Sequence, residues 1–246
     1  EVVVQLYTAF APMIHIAALE RVATLLDLDL LAVAAEPFAV SRSVIGDDIN
    51  SSISAVLMDV GGGTTDIAVI NEGGVQGTKM FGIGGRAFTK SIQRELGIKF
   101  AEAEEIKLTL STETNSDDEK KASEALDRTC DVWLSGVELA LSEFTEVEHL
   151  PHKILLCGGG ASLEKLLLSI EQTNWYGSLP FTKRPSVAYI TPSQVDGMVD
   201  ATGQITDHTY ITAMGLLRVG VDTLEQEVGD SAGNPIKSKI DRVLRT

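Results

Sequence analysis

An aspartate, a valine, three glycines, two threonines and a second aspartate follow one another at residues 59–66, between two apolar segments. Glycines let the backbone turn tightly and approach a phosphate, and successive backbone N–H groups form an anion-binding concavity. Asp59, at the end of the first segment, could hold Mg²⁺ through its waters, and the hydroxyls of Thr64 and Thr65 could bind phosphate oxygens. A glycine turn between strands is more often structural. The flanking Asp59 and Asp66 reverse that preference and favour a phosphate-binding loop.

A second run of three glycines stands at residues 158–160, directly after the apolar segment 153–157. This pattern predicts a buried strand that passes through glycines into a helix, with Ser162 as the cap of that helix. Backbone N–H groups and the helix dipole favour negative charge at such a junction. The second glycine run is therefore another candidate for contact with an anion or a nucleotide.

Other common chemistries find little support in the sequence. It contains no GxxxxGK[ST] loop, and no GxGxxG motif opens a helix after a strand. The four histidines stand in no nucleophile context, so each is expected to be an ordinary surface or core residue. Cys130 and Cys157 form neither a CxxC pair nor a cluster with histidine, which argues against a zinc site or a disulfide framework.

Composition narrows the class of protein. The 246 residues include 35 Asp and Glu against 20 Lys and Arg, a net charge of −15 that disfavours nucleic-acid partners. Hydrophobic residues make up 44% of the chain, as in a folded soluble protein. We expect a cytoplasmic protein, because no apolar run is long enough for a membrane span and no signal peptide is evident. The start inside an apolar stretch, without methionine, suggests a fragment.

The elements that must position these residues predict an α/β protein. The segment 30–38 (LLAVAAEPF) is expected to be a short buried strand that ends at Glu36, because Pro37 disfavours helical geometry in the residue before it. The apolar segments 55–60 and 67–70 flank the first glycine loop and predict a hairpin. Further strands are expected at 2–6 and 187–190, and helices at 16–26, from Phe88 to a stop at Gly97, around 101–110, and after a capping box at Ser116.

Acidic residues are concentrated between the two glycine runs. Residues 101–150 hold 14 acidic and 4 basic residues, so this fifth of the chain carries −10 of the total charge. The simplest interpretation of such a charge run is a solvated helix surface.

Five segments, in this order and at these distances, resemble the second half of the actin-like ATPases: EPFAVSRSV, VLMDVGGGTTDIAVI, GIGGRAFTKSI, AEEIKLTLS and ILLCGGGASLEKL. The resemblance is greatest to the FtsA-type cell-division proteins and to the related PilM pilus-assembly proteins. It implies an α/β fold: a ribonuclease H-like actin-fold subdomain, with a mixed sheet flanked by helices and an inserted, mostly helical small subdomain. The implied parts are subdomain 2A at 1–85 and 153–222, the helical subdomain 2B at 86–152, and a linker with an amphipathic tail at 223–246.

The resemblance also implies roles for single residues, with ATP and Mg²⁺ as the ligands. Glu36 resembles the acid that positions the attacking water, and Asp59 and Asp66 resemble the acids of the second phosphate loop, which contact the metal. From the residues alone, Glu36 could instead be a strand-end carboxylate, and Glu104, Lys107 and Ser111 could form a solvated helix face. The residues expected to contact the nucleotide are Gly61, Gly62, Gly63, Thr64, Thr65, Gly84, Gly85, Glu104, Lys107, Ser111, Gly158, Gly159, Gly160 and Ser162.

Two departures from the family pattern bear on function. The first phosphate loop of these ATPases has no counterpart here, so the chain is expected to hold one wall of the cleft and to be at most part of a slow ATPase. Arg86 stands where FtsA-type proteins commonly have an acid.

The resemblance implies partners as well. FtsA-type proteins polymerise and receive the carboxy-terminal tail of the tubulin-like protein FtsZ on the helical subdomain. PilM-type proteins are scaffolds with structural nucleotide that hold a peptide of an inner-membrane protein, and this alternative stays open. A DnaK-type chaperone is a weaker alternative. Residues 236–246 resemble in kind the basic amphipathic helix that brings FtsA to the inner face of the membrane, although a frayed basic tail is the preferred interpretation of them.

Overall fold

The computed structural model describes residues 8–45, 53–110 and 116–231, and it contains one mixed five-stranded sheet with helices on both faces. The strands are β1 (Ala55–Val60), β2 (Thr65–Asn71), β3 (Gly74–Phe81), β4 (Lys153–Cys157) and β5 (Ser186–Tyr189), in the spatial order β3-β2-β1-β4-β5. The central strand β1 is antiparallel to β2 and parallel to β4. At the two edges, β3 is antiparallel to β2 and β5 is parallel to β4. The predicted mixed sheet and the predicted hairpin around the first glycine loop are confirmed.

Helices account for most of the remaining described residues. Those of the acidic region follow one another between β3 and β4, as the sequence predicts. The helices are α1 (Met13–Leu25), α2 (Glu36–Ile45), α3 (Gly85–Leu96), α4 (Phe100–Thr109), α5 (Asp117–Ser142), α6 (Glu164–Gln172) and α7 (Ile211–Ser231).

The sheet separates two hydrophobic cores. Side chains alternate along β1, so Val56 and Met58 face the core formed with α3, α4, α5 and α6, whereas Ala55 and Leu57 face the core formed with α2 and α7. Trp133 of α5 is fully buried in the first core. By the same alternation the Asp59 side chain lies on the face of the sheet that packs against α2 and α7.

Local signals fixed several helix ends. Gly97 ends α3 in the left-handed conformation, with φ of 66°, as expected of a glycine stop. At the start of α5 the backbone N–H of Glu119 donates to Ser116 Oγ, and the backbone N–H of Ser116 donates to the Glu119 carboxylate, each at 3.2 Å. The predicted capping box is therefore confirmed, as are the helices at 16–26 and 101–110 and the strand near 187–190, each within a few residues.

The predicted strand at 30–38 is wrong. Leu30 and Leu31 lie outside regular structure and are 44% and 52% exposed, and Glu36 begins α2 instead of ending a strand. Pro37 fits there because the first turn of a helix needs no backbone N–H from it. The backbone N–H of Phe38 donates to the Ala35 carbonyl and closes this turn at 3.0 Å.

Three of the sequence predictions lie outside the described residues: the strand at 2–6, the role of Ser111, and the tail at 236–246. Within the part of the chain that the structure describes, no helix is both long and apolar enough to span a membrane. The subdomain bounds at 85, 152 and 222 stay a prediction.

Candidate functional site

The first glycine loop is a closed turn between two paired strands. The backbone N–H of Gly61 donates to the Thr64 carbonyl at 2.9 Å, and β1 and β2 remain in register up to the loop. Asp59 lies directly opposite Asp66 in this register, so both carboxylates stand on the same face at the end of the hairpin. The strands thus present two negative charges beside the glycines.

Three carboxylates share this corner of the molecule. Burial raises the pKa of Asp59, which is only 8% exposed, although a hydrogen bond from Thr212 acts to lower it. Burial also raises the pKa of Asp66, against a hydrogen bond from Thr64, and the charge of Asp59 adds to the increase. The pKa of Glu36 is raised by burial and by the charges of Asp59 and Asp66. The three predicted acids therefore lie close enough to repel one another, an arrangement that a cation would relieve.

The two glycine runs meet in space as predicted. The backbone N–H of Gly85 donates to the Gly61 carbonyl at 2.9 Å, which joins the start of α3 to the first loop. A Cβ on Gly160 would lie 2.6 Å from the same Gly61 oxygen, and a Cβ on Gly84 would lie 2.5 Å from it. Gly158 has φ of 86°, and a Cβ on it would collide with the Asp59 carboxylate. Only glycines allow this approach, so the bare backbone forms a cradle around the Gly61 carbonyl.

A cleft of about 440 Å³ opens beside this cradle. Gly85, Gly159 and Gly160 line one side, and Glu104 and Lys107 of α4 line the other. The Lys107 ammonium donates to the Glu104 carboxylate at 2.9 Å and to Thr89 Oγ1 at 3.1 Å. Partial burial acts to raise the pKa of Glu104, but these hydrogen bonds from Lys107 and Thr89 outweigh it and lower the pKa. The pair is therefore a fixed polar edge of the cleft and is not a solvated helix face.

Apolar and polar groups both line the cleft. Leu108, Leu126 and Leu163 contribute apolar surface, and Ser162 and Glu164 lie at the polar rim. A cleft of this size that is lined by apolar side chains and a few polar groups is typical of sites for small ligands such as a purine nucleoside.

Arg86 lies over the first glycine loop. Its backbone N–H donates to the Gly62 carbonyl at 2.8 Å, and its guanidinium would be 2.8 Å from a Cβ on Gly63. Arg86 and Lys90 line a shallow recess of about 460 Å³ together with Gly62, Gly63 and Gly84. Positive charge therefore stands next to the loop that sequence analysis expects to hold phosphates.

The Thr65 hydroxyl lies outside the cleft, and Ser162 is not the helix cap that the sequence predicts. Thr65 is fully buried; its hydroxyl donates to the Ile83 carbonyl at 2.8 Å and accepts from the Trp133 indole N–H at 2.9 Å. The structure therefore does not bring this hydroxyl into the cleft, because strand alternation places Thr65 on the opposite face from Asp66. Ser162 ends a short 3₁₀ turn and does not cap α6, whose first turn has no side-chain cap.

Sequence reasoning missed two contributors. Thr212, in the first turn of α7, donates its hydroxyl hydrogen bond to the Asp59 carboxylate. His208 lies 3.2 Å from Ser162 Oγ through Nε2 and stacks on Tyr189, with ring centroids 4.2 Å apart. Burial lowers the pKa of His208, and the adjacent Asp207 opposes this. The segment YITAMGLLRVG contained the only signal for Thr212, and nothing in the sequence pointed to His208.

The residues present suit a magnesium nucleotide better than a tightly bound metal ion. The described residues contain no group of three or more His, Cys, Asp or Glu arranged to bind a metal. Asp59 and Asp66 are two carboxylates, and Mg²⁺ is usually held by one or two carboxylates together with waters and substrate phosphates. The backbones of these glycines approach one another beside the two carboxylates, and glycine loops of this kind can present N–H groups to a phosphate.

Comparison with known families matches residues 56–215 to the family described as cell division protein FtsA. A cell division protein FtsA from Pseudomonas aeruginosa is 26% identical over 206 residues, which are 76% of this chain and 46% of that protein. Another, from Bacillus subtilis, is 30% identical over 83 residues, which are 34% of this chain and 19% of that protein. The matched part of the chain thus spans less than half of the length of either relative.

Solved structures with a similar fold include a chain of the PilM-PilN type IV pilus biogenesis complex, with a TM-score of 0.66 and 19% identity over 84% of this chain and 57% of that one. MreB5 of Spiroplasma citri bound to AMPPNP has a TM-score of 0.59 and 16% identity over 90% of this chain and 68% of that one. At these identities the similarity establishes the fold alone. The expected α/β actin-like fold is confirmed.

Proposed function

The chain belongs to the family of cell division protein FtsA, and we propose that it binds ATP with Mg²⁺ as one wall of a nucleotide cleft. The observation that supports this most directly is the convergence of Gly61, Gly85 and Gly160 beside two facing carboxylates. The similarity in fold to an MreB protein adds support, because that protein was solved with AMPPNP, a nucleotide analogue, bound to it.

Each residue around the cleft has a defined task in this proposal. The backbone N–H groups of Gly62 and Gly63 bind phosphate oxygens, and Thr64 adds a hydroxyl. Asp59 and Asp66 hold Mg²⁺, which neutralises phosphate charge when it is bound. Glu36, at the start of α2, orients a water molecule toward the terminal phosphate. Glu104 and Lys107 contact the ribose, and the flat backbone at Gly159 and Gly160 receives the purine.

Calorimetric titration of ADP and a non-hydrolysable ATP analogue, with Mg²⁺ or with EDTA, tests this proposal. Lys107→Ala should weaken binding of both nucleotides about tenfold or more, since hydrogen bonds to charged groups are among the stronger ones. Lys79→Ala is the matched control. Lys79 lies on β3, where it pairs with Glu143, and it does not line the cleft. Equal affinity of the two variants, or no nucleotide binding by the unaltered protein, would contradict the proposal.

The proposed biological role is nucleotide-dependent recruitment of division proteins, with the FtsZ tail as the first candidate. The region 101–150 carries a charge of −10 and could attract basic residues in such a tail. Binding of a fluorescent FtsZ-tail peptide should then fall steeply as salt is raised from 50 to 300 mM. Over this range the Debye length falls through about 10 Å, so attraction between exposed charges is increasingly screened. Binding that does not depend on salt would argue against this surface.

A PilM-like scaffold is the second candidate. The fold similarity to a chain of the PilM-PilN complex and the basic Arg86 beside the glycine loop favour it. In that case the nucleotide is structural, and the chain holds a peptide of an inner-membrane protein. Parallel pull-downs with FtsZ-tail and pilus-assembly peptides distinguish the two candidates, since each predicts retention of a different peptide.

The first candidate function also predicts self-association into filaments and contact with the membrane. Filaments formed with ATP should sediment at high speed and disperse with ADP. Flotation with anionic liposomes, of protein with and without residues 236–246, tests whether this basic segment contacts the inner face of the membrane.

A further inference from the structure

An ion bridge joins the two helices on the Asp59 face of the sheet. Arg42 of α2 donates from Nε to Asp222 Oδ2 of α7 at 2.9 Å. On the other side of the same carboxylate, Arg218 Nε lies 3.0 Å from Asp222 Oδ1. Asp222 therefore stands between two guanidinium groups, one from each helix.

This bridge is largely withdrawn from water. Arg218 is 3% exposed, and the side chains of Asp222 and Arg42 are 15% and 25% exposed. A bridge at this depth is screened far less than a surface pair, and loss of the central carboxylate would leave two arginines facing each other. Asp222 is thus the residue on which the arrangement depends.

Two glycines allow the helices and the bridge to form. A Cβ on Gly215 of α7 would collide with the Ala39 carbonyl of α2, so the helix backbones touch at this point. Gly197 has φ of 70°, and a Cβ there would collide with the Arg218 guanidinium. The two helices are therefore held in one close register, by backbone contact near one end and by the ion bridge further along.

Both helices carry residues of the candidate site. Glu36 is the first residue of α2, and the charges of Asp59 and Asp66 act on it. Thr212, in the first turn of α7, donates to the Asp59 carboxylate. A shift of α2 along α7 would therefore change the position of Glu36 relative to Asp59.

From these contacts we propose that Asp222 is a positioning residue: by bridging Arg42 and Arg218 it fixes α2 on α7 and so holds Glu36 in place relative to Asp59. The proposal rests on the function proposed above only for its effect on turnover. Its effect on the helices themselves holds whether or not the protein hydrolyses nucleotide.

The test uses the full-length protein in five forms: unaltered, Asp222→Asn, Asp222→Glu, Arg42→Gln and Glu225→Gln. Asp222→Asn removes the bridging charge with little change in shape. Arg42→Gln removes only the contact between α2 and α7 and leaves the Arg218–Asp222 pair within α7. It therefore tests the same proposal if Asp222→Asn does not fold. Glu225→Gln is the matched control, because Glu225 is exposed on the same helix.

Amide hydrogen exchange of residues 36–45 is the direct readout. We expect exchange there to become about tenfold faster in Asp222→Asn and in Arg42→Gln, and to remain unchanged in Glu225→Gln and at residues 55–60 in all forms. Unchanged exchange at 36–45 in both bridge variants would overturn the proposal.

Turnover and binding supply the second readout. Asp222→Asn should lower kcat about tenfold while the dissociation constant for ADP changes less than twofold, because the cleft residues at α4 are not part of the bridge. Asp222→Glu should restore part of the lost kcat. An unchanged kcat in Asp222→Asn would overturn the link to Glu36. Absence of turnover in the unaltered protein would count against the proposed function, and hydrogen exchange would still decide the role of Asp222.

Discussion

Thr212 donates a hydrogen bond to the Asp59 carboxylate across 153 positions of sequence, and this contact ties the first turn of α7 to the end of β1. It is the side-chain hydrogen bond that counteracts the effect of burial on the pKa of Asp59. The hydroxyl thus helps to keep a largely buried carboxylate ionised, as a magnesium ligand must be.

Thr212→Val should therefore raise the pKa of Asp59 further and weaken Mg²⁺-dependent nucleotide binding, most strongly at acidic pH. A hydrogen bond to a charged group contributes about 1.5–3 kcal/mol, which is an upper limit here because the site can relax. Nucleotide titrations at pH 6 and pH 8 measure the effect. Thr212→Ser, which keeps the hydroxyl, should bind like the unaltered protein. Equal affinities of the valine and serine variants at both pH values would contradict this role.

The pairing of Asp59 with Asp66 predicts a pH-dependent cost to stability. Burial raises the pKa of Asp66 in the folded protein, so the folded state binds this proton more tightly than the unfolded state. The stability that this group contributes is fully present below its unfolded pKa of about 3.9, and it is lost as pH rises through the folded pKa. At neutral pH the charged carboxylate therefore destabilises the fold when no cation is present.

Asp66→Asn should accordingly raise the Tm of the nucleotide-free protein at pH 7, and the difference from the unaltered protein should shrink as pH is lowered toward about 4. Thermal unfolding followed by circular dichroism measures this. Glu146→Gln is the control, because Glu146 is an exposed acid that is not part of the hairpin. A lower Tm for Asp66→Asn at pH 7 would show that its hydrogen bond with Thr64 outweighs burial.

Gly160 and Gly159 offer a matched test of the glycine cradle. A Cβ on Gly160 would lie 2.6 Å from the Gly61 carbonyl oxygen and 2.8 Å from that of Val60, whereas a Cβ on Gly159 meets no atom within 4 Å. Gly160→Ala should therefore push the two loops apart and lower the free energy of unfolding by about 1–3 kcal/mol, the usual cost of overpacking. Gly159→Ala should unfold at the same denaturant concentration as the unaltered protein. Equal stability of the two variants would contradict the packing described at this junction.

Local sequence signals predicted the loops and several helix ends. The convergence of the two glycine runs was predicted through the family resemblance, and other contacts between distant segments were not predicted. The hairpin at 55–71, the stop at Gly97 and the capping box at Ser116 depend on neighbours in the chain, and these predictions are confirmed. The segment 30–38 misled because a short apolar run fits a buried strand or another apolar segment equally well. Leu30, Leu31 and Val33 of this segment are exposed in the structure, so an apolar composition alone was not enough to predict a buried strand.

Thr65 and Thr212 illustrate the limit for side chains. Motif spacing treated Thr64 and Thr65 alike, but strand alternation turns the Thr65 hydroxyl into the core, where it meets Trp133. Thr212 reaches Asp59 only because α7 packs on the other face of the sheet from α5, which is a matter of tertiary structure. The Thr212 contact is not encoded within a window of neighbouring residues, whereas the orientation of Thr65 follows from alternation once the strand that contains it is known.

Arg86 should contribute to the choice between nucleotides. Its guanidinium lies over Gly62 and Gly63, where the proposed function places the terminal phosphates. Arg86→Gln should weaken binding of an ATP analogue about tenfold and binding of ADP less, since a charge-assisted contact acts mainly on the nearest phosphate. Calorimetry at 50 mM salt measures both affinities. Arg94 is an exposed arginine two turns further along α3, and Arg94→Gln should change neither affinity. A similar loss of affinity in both variants would show that the net charge of the protein, and not the position of Arg86, causes the effect.

Thr65→Val should affect stability and not nucleotide binding. The substitution keeps the shape of the side chain but leaves the Trp133 indole N–H without its acceptor in a buried site. An unsatisfied buried donor costs about 1–3 kcal/mol, which should appear as a lower free energy of unfolding in urea. Thr65→Ser keeps both hydrogen bonds and should lose less stability. If Thr65→Val instead lowered nucleotide affinity by more than about threefold with unchanged stability, the hydroxyl would have to reach the ligand, and its assignment to the core would be wrong.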